Sequence, residues 1–474
     1  MAGEAVAVPA RNIRITLKGE KLSGPNNSIG NVRTHNFPKR EPSTGNNCVE
    51  GTLTLDQKDS ISKGTTGGCK ALREITNARV YIRTFGCTYN HGDTRKLIEV
   101  LRYQGCTISV SPLDADVIII NSCTVVESTA RKVLRTIETY HDSRLYITGC
   151  MPAVEADRIL AICTPAFIPP GCIQEAYRLH PVVQQSAPGI VQVAQGCLGN
   201  CSYCITRSAR GTLVSFPADE IIRQVRQHIE LGAVEIQLTA QDISAWGHDT
   251  GESLPLLLET ISQLPGEFRV RIGMMNPVTI RRIMPALLRV FECDKIFQFI
   301  HMPIQSGSDT ILKRMRRGYT SADCTALIDA FRERFPDITI MTDMIVGFPG
   351  ESGEDFLQSL DLVKKIRPNK INITRFSKRQ GTDMSGVNDF TDYIKKKRSR
   401  MMNACSEEVY HTLNAPWIGR TVPFIVTEKI REGSVVARTP QYLGVVLLED
   451  LPLGTTGGAI LTEERMYYFI GSRV

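Results

Sequence analysis

No run in this 474-residue chain is apolar for long enough to cross a membrane; the longest, such as Ala115–Ile120, are short and carry an Asp inside. The start has a brief apolar stretch, Ala5–Val8, without a basic segment leading into a hydrophobic core, so a secretory signal is not expected. Charge of one sign is also scarce. A net charge of +7 permits a nucleic-acid partner without requiring one. The one dense basic stretch, Lys395–Arg400, reads as a solvated helix face rather than a phosphate clamp. Fourteen cysteines are too sparse for a secreted disulfide scaffold and many for an ordinary enzyme. Their grouping near glycines and strand ends favours metal ligation in a reducing compartment. What remains is a cytoplasmic protein with no membrane partner, long enough at 42% hydrophobic content for two to four domains.

Composition changes three times along the chain. Residues 1–76 are rich in Gly, Ser, Thr, Asn and Lys without a sustained period, and read as a disordered or linker extension in which Cys48 and Cys69 are incidental. Over 77–185, β-rich runs at Val80–Thr84, Val117–Asn121 and Leu145–Thr148 alternate with helical patterns, which implies an open α/β layer with parallel strands. Each of these strands runs into a cysteine: Cys87, Cys123 and Cys150. Ligands collect at the carboxyl ends of such strands, so the three can converge on a second metal site. Over 186–415, six further strand–helix units are too few for a closed eight-unit barrel and fit a partial (β/α)6 barrel open on one side. Residues 416–474 return to short β runs separated by Gly and Pro, expected as a small β-barrel of about zero net charge.

The most specific signal lies just after the first strand of that second series. Cys197, Cys201 and Cys204 stand in a Cys-x3-Cys-x2-Cys loop, and no fourth cysteine falls within twenty residues of them. Four thiolates fill every iron of an electron-transfer cube; three leave one iron open for a substrate or cofactor. A structural zinc site is the alternative, but it closes with a fourth Cys or His. Asp343, Arg375 and the loop Gln305-Ser306-Gly307-Ser308-Asp309 fall at other strand ends on the same face, where Ser308 and Asp309 also read as helix N-caps.

With both cysteine sets placed, residues 79–474 resemble the methylthiotransferase family of radical S-adenosylmethionine (SAM) enzymes. The resemblance rests on Thr84-Phe85-Gly86-Cys87-x-x-Asn90, Asn121-Ser122-Cys123-Thr124-Val125, Gly149-Cys150 and the Cys197–Cys204 triad. It also rests on Pro303-x-Gln305-Ser306-Gly307-Ser308-Asp309 and on Thr342-Asp343-x-Ile345-Val346-Gly347-Phe348-Pro349-Gly350-Glu351. Ser208-Ala209-Arg210-Gly211, Met275-Asn276-Pro277 and Arg379-x-Gly381-Thr382 are similar to the archaeal and eukaryotic branch, which acts on N6-threonylcarbamoyladenosine at position 37 of tRNA. The terminal β module looks like the family's TRAM domain, which implies contact with RNA.

The resemblance implies two 4Fe-4S clusters and SAM. The cluster on Cys197, Cys201 and Cys204 would reduce SAM to a radical that attacks C2 of the base. The cluster on Cys87, Cys123 and Cys150 would hold the sulfur and its methyl group. It further implies that Tyr203 packs beside SAM, and that Gln305, Ser306 and Asp343 line the same face. Arg210 is the candidate for a phosphate or carboxylate contact. The implied partners are tRNA and a reducing protein of flavodoxin or ferredoxin type. Arg95, where an acidic residue is common, and Gln380, where Pro is frequent, depart from the family pattern, and the N-terminal extension has no counterpart there. Three alternatives stay open: methylthiolation of a ribosomal-protein aspartate, the same reaction on isopentenyladenosine, and a non-catalytic RNA-binding protein with vestigial cysteines.

Overall fold

The computed structural model describes residues 66–179 and 188–474. The extension up to residue 65, Cys48, and the expected boundary near residue 185 lie outside the described residues. Five parallel strands open the fold: β1 (Arg79–Thr84), β2 (Thr107–Ser109), β3 (Val117–Ser122), β4 (Leu145–Gly149) and β5 (Ala166–Phe167), in the order β2-β1-β3-β4-β5. The central strand, Val-Ile-Ile-Ile-Asn-Ser, is buried along its whole length. Such runs belong in parallel sheets covered on both faces. Side chains alternate across the sheet: Val117 and Ile119 pack with Leu97, Leu101 and Ile173, while Ile118 and Ile120 pack with Val133, Ile137 and Ile159. The expected open α/β layer is therefore present.

One boundary moves. Residues 66–73 form a helix, and Leu72 and Ile75 are buried in the core with Val80 and Ile173. Cys69 is joined to Cys172 by a disulfide across 103 residues of sequence. The linker reading therefore fails from residue 66 to 76, and Cys69 is not incidental. Two apolar residues three apart are too short a pattern to show a period, and the partner helix, Pro170–Leu179, lies a hundred residues away.

The second layer starts with β6 (Gly189–Gln192) and a short antiparallel ribbon of β7 (Ala194–Gln195) with β8 (Val214–Ser215). Then follow β9 (Glu235–Thr239), β10 (Arg269–Ile272), β11 (Phe299–His301), β12 (Thr339–Val346) and β13 (Lys370–Arg375). The parallel sheets β6-β9-β10 and β11-β12-β13 are stitched by single parallel bridges at Val270–Ile296 and Met274–His301. Among the described residues no ladder joins β13 back to β6, so the barrel stays open. Helices Ala218–Glu230, Leu254–Ser262, Pro277–Val290, Ser321–Arg334 and Gly353–Ile366 cover its convex face. Ile236, Leu238, Val270, Ile272, Ile300 and Ile340 pack beneath them. By strand alternation Glu235, Gln237, Arg271, Phe299, His301 and Asp343 belong to the concave face.

The basic run sits in the helix Asp392–Asn414 and is only partly a solvated face. Lys396, Lys397 and Arg400 are exposed. Lys395 is buried with its Nζ 2.6 Å from Asp389, and Arg398 pairs with Glu351. Periodicity alone did not reveal those acidic partners.

The chain ends in a closed barrel of β14 (Thr421–Arg431), β15 (Ser434–Arg438), β16 (Gly444–Leu447), β17 (Thr456–Arg465) and β18 (Tyr468–Arg473). The third of the chain's changes in composition thus marks a real module. It is not a loose appendage. Tyr442, held at φ 64°, reaches into the lower end of the open barrel between Phe297 and Phe299, with ring centroids 4.8 and 5.0 Å away. Its hydroxyl donates to Glu235 at 2.7 Å, and the Arg271 guanidinium lies over its ring. Among the described residues no helix is long and apolar enough to cross a membrane.

Two outcomes follow from these contacts. Deleting residues 1–65 should leave the melting temperature unchanged, whereas deleting 1–76 should lower it, because each buried Leu or Ile lost costs about 2–5 kcal/mol. Tyr442→Ala should destabilise the protein by about 2 kcal/mol through the lost ring contacts and the lost bond to Glu235, which retains only Gln237 Nε2 at 2.6 Å. Thermal unfolding of the variants beside the parent checks both.

Candidate functional site

Cys87, Cys123 and Cys150 follow β1, β3 and β4, which are neighbours in the sheet, so their loops lie side by side. Glycine permits the approach. A Cβ on Gly86 (φ 114°) would sit 2.8 Å from the Cys123 Cβ, and one on Gly149 (φ 92°) would sit 2.2 Å from the Ser122 carbonyl oxygen. Asparagines lock the loops together. Asn90 Nδ2 donates to the carbonyls of Phe85 (2.8 Å) and Ser122 (3.0 Å), and Asn121 Nδ2 donates to the Asn90 carbonyl at 2.7 Å.

Two of these thiols are shifted by their surroundings. Burial pushes the Cys123 thiol up to about 12, and the nearby Cys150 and Cys87 sulfurs push the same way. Burial raises Cys150 as well, opposed by the Arg210 guanidinium and reinforced by Cys87. Burial thus keeps the Cys123 and Cys150 thiols neutral in the absence of a cation, and a bound metal deprotonates a coordinating thiol outright. Among the described residues no three His, Cys, Asp or Glu side chains close on a single metal ion. A single-ion site needs its ligands around one point, whereas a cube of irons takes one thiolate at each corner. Three thiols from three adjoining loops are a donor set of the kind such a cube takes.

The second triad occupies the loop between β7 and β8, at the carboxyl end of β6. Cys197, Cys201 and Cys204 line a cleft of about 220 Å³ together with Arg207, Thr382 and Asp383. The Gly199 N–H donates to the Cys197 sulfur at 3.2 Å. Arg317 donates to the Cys201 sulfur at 3.1 Å and to the Pro303 carbonyl at 3.1 Å, which ties the cysteine loop to the strand end after β11. Burial pushes the Cys197 thiol up to about 11.

The residues expected to line this face divide. Asp343 lies on it, accepting from His301 Nε2 at 3.1 Å and Asn372 Nδ2 at 2.6 Å. Burial alone would raise its carboxyl, but the bond from His301 and its charge hold it below the usual range. Gln305 is buried at φ 83°, with its backbone bonded to Asp343 and Ile345. Ser306 faces the helix Gly353–Ile366, its hydroxyl against Ser359 Oγ at 3.4 Å. Tyr203 packs edge-on to Phe348, with centroids 5.9 Å apart, beside Ile311 and Met315. Asn276, part of the branch pattern, caps the helix Pro277–Val290 by accepting from the Val278 N–H.

Arg210 is where the two triads share a wall. The helix Thr206–Arg210 begins two residues after Cys204 and carries the Arg210 side chain to the other triad. Its Nε donates to the Cys150 sulfur at 3.3 Å, and its Nη2 meets Asn90 Oδ1 at 2.9 Å and Asp93 Oδ2 at 2.7 Å. The expected carboxylate contact is therefore Asp93, inside the protein. Arg379, after β13, pairs with Glu127 at 2.6 Å and Glu155 at 3.4 Å, which places Gly381 and Thr382 on the cleft. Arg95 donates to the Pro188 carbonyl at 2.6 Å and touches neither triad. Sequence reasoning missed Arg317, His301, Asp93 and the partner of Arg210. Arg210 and His301 stand beside recognised motifs; nothing local marked Arg317.

Comparison with known proteins places the chain among its relatives. The model of the radical SAM superfamily matches residues 191–363, and that of an uncharacterised family, UPF0004, matches residues 79–167. A probable threonylcarbamoyladenosine tRNA methylthiotransferase of Methanothermobacter thermautotrophicus is 36% identical over 396 residues, covering 78% of this chain and 93% of its own. The threonylcarbamoyladenosine tRNA methylthiotransferase of Danio rerio is 32% identical over 418 residues, covering 77% of this chain and 75% of its own. Among solved structures, a radical SAM methyltransferase of Kitasatospora setae aligns at a TM-score of 0.45 with 13% identity, covering 65% of this chain and 77% of its own.

The crowding at the first triad makes Gly149 a sensitive position. Gly149→Ala combines a left-handed backbone, costing about 1–3 kcal/mol, with a clash against Ser122 and Asn121. Gly251→Ala, at φ 80° with open space around the added carbon, should incur the backbone cost alone. Melting temperatures and iron content after anaerobic reconstitution should fall far more for the first substitution than for the second.

Proposed function

The chain belongs to the radical SAM methylthiotransferases, a family of transferases, and from that membership we propose its reaction: conversion of N6-threonylcarbamoyladenosine at position 37 of tRNA to the 2-methylthio derivative. The observation that carries the reading is the meeting of two three-cysteine sites, each at the carboxyl ends of parallel strands, across the short helix Thr206–Arg210. One site alone would serve a simpler radical reaction. Two adjoining sites suit a reaction that must both activate a carbon and deliver a sulfur to it.

The chemistry explains the need. C2 of adenine carries no acidic proton, so general acid–base catalysis has no purchase there and a cofactor must carry the hard step. When bound, a 4Fe-4S cluster with SAM supplies a one-electron route to such a C–H bond. Cys197, Cys201 and Cys204 would hold that cluster, with the Arg317 bond to the Cys201 sulfur fixing one ligand. Cys87, Cys123 and Cys150 would hold a second cluster. Tyr203, Gln305 and Ser306 would shape the wall around SAM, Tyr203 and Ser306 from beneath through their packing. Asp343, with His301 and Asn372, offers the concave face a fixed carboxylate.

The C-terminal barrel would grip the tRNA by shape and hydrogen bonds, since its charge is about zero. A flavodoxin- or ferredoxin-type protein would deliver electrons, and the setting would be the cytoplasm. There Cys69 and Cys172 would stand as adjoining thiols, with the helix held by Leu72 and Ile75.

Cysteine variants and nucleoside mass spectrometry test the reading. Cys197, Cys201 and Cys204 changed together to Ala should leave about half of the iron and abolish SAM cleavage. The same change at Cys87, Cys123 and Cys150 should keep cleavage to 5′-deoxyadenosine and stop methylthiolation. Product from the second variant would remove the first triad from the reaction. Modified ribosomal protein beside unmodified tRNA would transfer the activity to the protein substrate.

A further inference from the structure

Three arginines in the interior have acceptors within the protein. Arg210 meets Asp93, Arg379 meets Glu127 and Glu155, and Arg317 bonds the Cys201 sulfur and the Pro303 carbonyl. Arg271 is different. It is half-buried on β10, and by strand alternation it stands on the concave face of the open barrel beside its register partner Gln237. Its guanidinium carbon lies 4.9 Å from the centroid of the Phe299 ring and 5.8 Å from that of Tyr442. Among the described residues it makes these ring contacts and no hydrogen bond or ion pair. Glu235, on the neighbouring strand, accepts instead from Tyr442 at 2.7 Å and from Gln237 at 2.6 Å. The rings attract the cation without using its N–H groups, so the planar fork remains able to take one carboxylate with two bonds.

Contacts along β11 set the depth of this cation. Phe299 lies against Arg271, and His301, two residues further up the same face, bonds Asp343 at 3.1 Å. Two residues beyond His301, the Pro303 carbonyl accepts from the same Arg317 that bonds the Cys201 sulfur. A two-residue step of strand rises about 6.6 Å. Arg271 thus faces the chamber that opens toward the second triad, on the order of one or two such steps beneath it. Arg269, at the start of the same strand, lines a crevice of about 400 Å³ with Phe297, Phe424 and Pro440 at the junction with the C-terminal barrel. In N6-threonylcarbamoyladenosine a carboxylate ends the arm on N6, several bonds away from C2. A cation that holds it must stand off from the reacting carbon yet inside the same chamber. An isopentenyl arm carries no charge and would leave the guanidinium unanswered.

We propose that Arg271 is the specificity-determining residue that binds the carboxylate of the threonylcarbamoyl arm, on a floor made by Phe299 of the barrel and Tyr442 of the C-terminal module. The proposal rests on the tRNA reading above and deepens it by naming the group that selects the modified adenosine. Aromatic walls lower the local dielectric, so the ion pair is stronger there than at an open surface. A substrate without the acid covers the cation and gives it no anion, and a site built around a polar partner discriminates strongly against an analogue lacking it. Because the bond is present before and after the reacting carbon is attacked, its loss raises KM more than it lowers kcat.

The test uses the full chain, anaerobically reconstituted and supplied with SAM and dithionite. Two anticodon stem-loops are compared, one carrying N6-threonylcarbamoyladenosine and one in which the threonyl carboxylate is replaced by its amide. The parent should favour the acid at least tenfold in kcat/KM. Arg271→Gln should lose that preference through a raised KM for the acid, while its turnover of the amide stays at the parent's level. Arg269→Gln, which removes the same charge from the same strand, should keep the parent's ratio. Arg271→Met retains the stem against Phe299 and Tyr442, and decides in place of Arg271→Gln if the latter melts early or sheds its iron. An undiminished preference for the acid in the Arg271 variant would overturn the proposal, as would an equal loss on both stem-loops or a parent indifferent to the acid. A parent that modifies neither stem-loop would overturn the tRNA reading itself, and this proposal with it.

Discussion

A guanidinium shut away from water must find anions, and two buried arginines do so across the boundary between the first two layers. Arg210 leaves the barrel to meet Asp93 and the Cys150 sulfur. Arg379 leaves the last barrel strand to meet Glu127 and Glu155. Gln192, at the end of β6, donates to Asp93 and to the Tyr89 carbonyl. Removing one member of a buried pair strands the other charge at a cost of about 3–5 kcal/mol. The open α/β layer and the barrel are therefore held in one arrangement, and that arrangement makes the two cysteine triads neighbours.

The second layer carries its triad on the single loop between β7 and β8, whereas the first builds its triad from three strand ends. Parallel strands end at one edge, and loops from adjacent strands must share the space there. Where three loops crowd, as at Gly86 and Gly149, side chains have no room and glycine precedes the cysteine. Asparagine amides then satisfy the carbonyls that the tight loops leave pointing inward. The result is a rigid frame around three sulfurs that would otherwise repel one another once ionised. On the proposed reading a cluster would meet ligands already in place there, with less ordering on binding.

The other end of the barrel is sealed from outside its own sequence. Tyr442, from the C-terminal module, closes the lower end between Phe297 and Phe299 and binds Glu235. A module read as an RNA grip thus also forms part of the wall of the chamber in which the reaction would occur. Its near-neutral surface and its inserted tyrosine are two sides of one small barrel, whose apolar interior of Val422, Phe424, Val435 and Phe469 keeps it rigid enough for both.

How much of this could be read in advance depends on the distance over which each signal acts. The Cys-x3-Cys-x2-Cys loop and the strands ending in Cys87, Cys123 and Cys150 are local patterns, and strand periodicity needs only a handful of residues. The six barrel strands lie in the expected order. In β17, by contrast, Gly457, Gly458 and a run of polar residues blur the alternation. The helix at 66–73 escaped because its partners are a hundred residues distant. Lys395 was read as solvated because its partner, Asp389, lies outside the basic run and before the helix begins. The sequence by itself determined the spacing of the cysteines, the layer class and the family. Tertiary structure alone decided that Arg210 faces Cys150, that Arg317 binds Cys201, and that Tyr442 closes the barrel. Spacing constrains what a short segment can fold into. Which charges meet in the interior depends on how distant segments pack, and burial then makes those meetings obligatory.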